Sequence, residues 1–93
     1  MATMTHIFRE KRWKVLPVSR NRKKSKGDCE APHMPNKQIR IPMTGDTRSD
    51  LDTIIHEGLH ACLWDLDDEA VQFTAHDIAR LLWRLGWRKT EGE

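Results

Sequence analysis

Ser49-Asp50-Leu51-Asp52-Thr53-Ile54-Ile55-His56-Glu57-Gly58-Leu59-His60-Ala61-Cys62-Leu63-Trp64 is the stretch on which the reading of this chain turns. Leu51, Ile54, Ile55, Leu59, Cys62 and Leu63 recur at helical spacing as one apolar stripe, with Asp52, Thr53, His56, Glu57 and His60 on the other side. Ser49 and Asp52 stand where a capping box puts its hydroxyl and its acid, so a helix is expected over 49–64. Residues four apart lie one above the other on a helix face. His56 and His60 can therefore offer two imidazole nitrogens to one metal ion, with Glu57 beside them to take a proton from a water that the ion activates. Gly58 costs the helix about 1 kcal/mol against Ala and would let another element come close.

A catalytic zinc site takes three protein ligands and keeps one position open. Downstream of His60 stand Asp65, Asp67, Asp68, Glu69 and His76. Glu69 is the expected third ligand, because a helical hairpin would bring the first turn of a second helix back against the first. A plainer role for Glu69 is to complement a helix N-terminus. His76 lies two turns further, about 10 Å along the axis, so it is a substitute ligand, an oxyanion partner or a surface histidine. Asp52 and Asp77 could orient an imidazole from behind, and a solvated helix face explains them equally well. With zinc lowering the pKa of a water to about 7, Glu57 would act as general base and then pass the proton to a leaving amine.

Working outward, Asp65-Leu66-Asp67-Asp68 is a polar break that caps a second helix over 68–86, ended by Gly86. Val71, Ala75, Ile78, Leu82 and Leu85 form its expected core stripe, widened by Ala70, Phe73 and Leu81. Upstream, Ile7 to Val18 alternates and reads as a strand or two short pieces ending at Pro17. Residues 19–26 hold no apolar side chain and read as a basic loop, and a strand through Cys29 and a turn at 33–36 follow. Lys37 to Ile41 alternates again, and the prolines bracketing it suggest an edge strand. The expected fold is α+β: one domain over 1–93, with a small antiparallel or mixed sheet of about three strands (residues 1–48) packed on two helices.

Ninety-three residues leave little room for a second core. Sixteen Lys+Arg against fourteen Asp+Glu give a net charge of +2, too small to imply nucleic acid from balance alone. The cations crowd the first half, and Arg20, Arg22, Lys23, Lys24 and Lys26 could bind nucleic acid with Trp13 or Trp87 as a stacking platform. A soluble basic loop is the simpler reading. Trp64, Trp83 and Trp87 are expected to pack, the last two over one sheet face. Cys29 and Cys62 lack any CxxC spacing and are expected as free thiols in a reducing compartment, Cys62 as a small core residue. No run is long and apolar enough for a bilayer, and residues 1–6 lack a signal peptide's apolar core, so a cytoplasmic setting is expected.

The string Asp52-Thr53-Ile54-Ile55-His56-Glu57-Gly58-Leu59-His60-Ala61 resembles the active-site helix of small zincin metallopeptidases, including the SprT-like group. Asp68-Glu69-Ala70-Val71-Gln72-Phe73, continuing to Ala79-Arg80-Leu81-Leu82, is similar to the Glu-Ala-x-x-Phe helix of ImmA/IrrE-like peptidases and minimal gluzincins. The resemblance covers about residues 39–85, and its second part is the looser. It implies a zinc-dependent peptidase, with a glutamate third ligand at Glu69 or, on the SprT-like pattern, a histidine at His76. It also implies a peptide or protein substrate added as a strand to the edge formed by Lys37–Ile41. Small zincins of this type are common among phage and bacterial accessory proteins. The chain departs from larger relatives in lacking a clear N-terminal helix and a substrate subdomain. This leaves open a second class of function, a zinc-stabilised interaction or virion-associated protein with little turnover.

Overall fold

The computed structural model describes residues 3–19 and 28–89. Strands β1 (Met4–Phe8) and β2 (Lys11–Ser19) form an antiparallel hairpin, followed by the two-residue β3 (Asp28–Cys29) and by β4 (Gln38–Met43). Helices α1 (Thr47–Cys62) and α2 (Asp68–Arg84) complete the chain. The sheet is mixed, in the order β1-β2-β4-β3, with β2 parallel to β4 and β3 antiparallel to it. The α+β class holds. Its layering is more specific than expected, for α1 lies on the sheet whereas α2 packs on α1 and not on the strands.

Of the one strand or two short pieces expected over 7–18, the structure has two strands, joined at Arg9 and Glu10, whose φ values of 48° and 69° suit a tight two-residue hairpin turn. The Arg9 guanidinium donates to the Cys62 carbonyl at 2.9 Å, tying that turn to the end of α1.

Neither proline stops its strand. Pro17 lies inside β2 opposite Ile41, and Pro42 lies inside β4 opposite Val18. The Lys14 amide donates to the Lys37 carbonyl on the β4 side, so the nitrogen of Pro17, three residues on, faces the β1 side. There β1 has already ended, at the pair Met4–Val15. By the same alternation the nitrogen of Pro42 faces the β3 side, beyond the last β3 pair at Arg40. Among the described residues the missing donors thus meet no ladder partner. It follows that β4 is not an edge strand: β2 flanks it on one side, and β3 covers Ile39 and Arg40 on the other. The edge expected at Lys37–Ile41 is largely closed to an added strand.

Trp13, Ile39, Ile41 and Ala61 form the buried core between sheet and α1, with Phe8, Val15, Cys29 and Met43 packed against it. Helix α1 begins before the expected Ser49. Asp46 is its N-cap, and Ser49 sits within the first turn. No side chain caps the helix at Asp46; instead the buried Asp50 closes the preceding turn, accepting from the Thr44 amide (3.0 Å), the Thr44 hydroxyl (2.8 Å) and the Gly45 amide (3.2 Å). A carboxylate with three donors locks the β4–α1 turn more tightly than a single hydroxyl could.

Helix α2 is capped by Asp67, whose carboxylate accepts from the Ala70 amide at 3.3 Å. It ends at Arg84 in a Schellman arrangement, with Gly86 N to Trp83 O and Trp87 N to Leu82 O both at 3.0 Å and Gly86 at φ 98°. Its buried line is Val71, Ala75 and Ala79, while Phe73, Ile78, Leu81 and Leu85 are exposed. The broad core stripe expected there is corrected because, among the described elements, α2 packs on α1 alone. Two small side chains let the helices approach closely along that narrow line. Trp83 carries the Arg88 guanidinium 3.2 Å from its ring rather than a sheet face.

Candidate metal centre

The helical turn between residues 56 and 60 brings the Nε2 atoms of His56 and His60 to 3.1 Å from each other. Their ring centroids are 4.8 Å apart, tilted by 69°. Two nitrogens each 2.0–2.1 Å from a tetrahedral zinc lie about 3.3 Å apart, so the observed spacing is close to that of a chelating pair. Without an ion, one ring can donate to the other.

Asp68 supplies the third donor. Its Oδ1 is 3.1 Å from His60 Nε2, and the donor atoms of His56, His60 and Asp68 all lie within 4.8 Å of one another. The His60 side chain is 19 % exposed and that of Asp68 84 %, so the group opens to solvent on the α2 side, where a water or carbonyl oxygen can reach it. Two imidazoles and one carboxylate are a donor set that zinc accepts.

Glu69, the expected third ligand, is exposed and does not belong to this group. One residue further along α2 turns its side chain about 100° from that of Asp68, and the inward direction belongs to Asp68. Both acids stand in the same first turn, so spacing alone separates them poorly; the line Asp68–Val71–Ala75–Ala79 was the signal that could have chosen between them. Asp65 and Asp67 are likewise outside the group, Asp67 being engaged in the cap.

His76 is also apart from it. Its Nδ1 lies 3.3 Å from Asp52 Oδ2, a second bridge between α1 and α2. Asp52 is thus engaged with His76, and Asp77 is exposed rather than turned into the hairpin. Glu57 is buried, with 4 % of its surface exposed, instead of standing as one surface acid among several. Gly58 faces Phe8, whose ring carbon would sit 3.7 Å from an added Cβ, an ordinary contact and not a forced close approach.

On the sheet side of α1, an apolar groove of about 460 Å³ runs between Met4, His6 and Phe8 of β1 and Ile54, Ile55 and Leu59 of α1. Trp13 is wholly buried and cannot stack on a base. Trp87 is exposed, and the cations of residues 20–26 lie outside the described residues. No described helix is long and apolar enough to cross a membrane. Compared with protein-family models, curated proteins and solved structures, the chain gives no match.

Proposed function

We propose that this chain is a zinc-dependent metallopeptidase of the minimal HExxH type, with His56, His60 and an acid from the first turn of α2 as ligands and Glu57 as general base. The supporting observation is the convergence of His56 Nε2, His60 Nε2 and Asp68 Oδ1 at ligand-like spacing on two packed helices. Asp68 is the acid in contact; Glu69 is the one that resemblance to gluzincins favours. Zinc bound there would supply Lewis acidity, polarising a scissile carbonyl and making water a better nucleophile.

The chain's own residues do the rest. His56 and His60 offer neutral nitrogens, which requires them to have lost their protons. Glu57, one residue from His56, takes the proton released by the attacking water and delivers it to the leaving amine. The exposed side of Asp68 leaves an entrance for an extended peptide. Cys29 and Cys62 form no disulfide among the described residues, in keeping with a cytoplasmic setting in a bacterium or a phage-infected cell.

The purified, zinc-loaded chain should cleave an unstructured protein or a peptide mixture. Glu57→Gln should lower the rate by about 10²–10⁴-fold while zinc content stays the same. The burial of Glu57 favours a second reading, a zinc-stabilised interaction protein with weak turnover. Under that reading chelation would loosen the fold, yet the zinc-loaded wild type would cleave nothing.

A further inference from the structure

We propose that the exposed apolar face of α2 is a docking surface for a second copy of this chain, the two α2 helices packing antiparallel across a two-fold axis. Phe73, Leu81 and Leu85 are 61 %, 57 % and 67 % exposed, and Ile78 is 38 % exposed. On a helical wheel these four span about 140°, an arc that runs from Phe73 to Ile78 and there adjoins the buried line Val71–Ala75–Ala79. Ala70 and Thr74 fall within the same arc, small side chains that let another helix settle against it. Large apolar side chains grouped on a solvent face are uncommon on a monomer and mark an interaction surface.

The charges in and beside the stripe point to a copy of the same helix. Arg84 and Asp77 lie within the arc, between Phe73 and Leu81, and Arg80 and Glu69 lie just beyond Phe73. The acids Asp67, Asp68 and Glu69 occupy the N-terminal end of α2 and its vicinity, and Arg80 and Arg84 the C-terminal half. A parallel partner would set like charges together, whereas an antiparallel one reverses them. With the axis passing between Ala79 and Arg80, Ile78 meets Leu81 of the second copy, Phe73 meets Leu85, and Asp77 comes within a turn of Arg84. The contact is self-complementary, as a two-fold interface must be. Asp68 points toward α1, so the metal centre stays outside this contact.

Sedimentation equilibrium of the full chain, from low to high micromolar concentration, tests this directly. The expected result is a monomer–dimer equilibrium, with Leu81→Glu raising the dissociation constant by about 100-fold or more and leaving circular dichroism and zinc content unchanged. Leu81 is exposed in the monomer, so its replacement should not impair folding. Arg84→Asp should weaken the dimer, and Asp77→Arg combined with it should restore association. A wild type that stays monomeric throughout, or a dimer indifferent to Leu81→Glu, would overturn the proposal.

Discussion

Among the described residues, two histidine–aspartate bridges join α1 to α2. Near the interhelical turn, His60 meets Asp68 at 3.1 Å; nearer the start of α1, His76 meets Asp52 at 3.3 Å. They differ in what surrounds them. His60 has a second imidazole 3.1 Å away and a side chain only 19 % exposed, whereas His76 is 52 % exposed with Asp52 as its partner. A pair of exposed groups is a surface clasp, which solvent and salt weaken. Three converging donors at the mouth of a helical hairpin are what a chelate requires. The same two residue types therefore give a clasp at one end and a candidate metal centre at the other, and the extra histidine makes the difference.

The sharpest way to break this contrast is His60→Ala, because His60 Nε2 is within 3.1 Å of both other donors. Zinc affinity, measured by competition with a chromophoric chelator, should fall by more than about 100-fold, beyond what loss of an outer-shell partner costs. His76→Ala should leave it unchanged. Thermal unfolding reads the same contrast as stability. Zinc at a hundred times its dissociation constant should add about 2.7 kcal/mol to wild type and to His76→Ala, and nothing to His60→Ala. The two acids come next: Asp68→Asn should weaken zinc by about 10-fold or more, against a change of about twofold for Glu69→Gln. If Glu69→Gln had the larger effect, the first turn of α2 would have to rotate on metal binding. Smallest of all, Asp52→Asn should cost less than about 1 kcal/mol, and added salt should shrink that cost further.

Much of this was readable beforehand, for reasons particular to each element. The i, i+4 placement of His56 and His60 needs only a helix between them, and a helix is the most local of structures. A cap within the polar break 65–68, which the structure places at Asp67, and Gly86 as terminator follow from chemistry confined to a few residues. The β4 edge was misread because each proline was treated as a strand terminator. Which flank a proline's nitrogen faces depends on partners far away in sequence, here the early ends of β1 and β3. Asp50 was passed over because its donors, Thr44 and Gly45, precede the helix and are brought back only by the turn. The stripe on α2 was assigned wholly to the core because apolar periodicity reports a face that wants cover and does not say what covers it. Asp68 and Glu69 are adjacent acids in one turn, and only the packing direction of α2 distinguishes them.

The most direct measurement is a crystal structure of the zinc-soaked chain. The prediction is one ion held by His56 Nε2 and His60 Nε2 at about 2.0–2.1 Å, with an α2 carboxylate completing the protein ligands. The same crystal with no ion between the two rings, or with zinc held at the His76–Asp52 bridge instead, would contradict it.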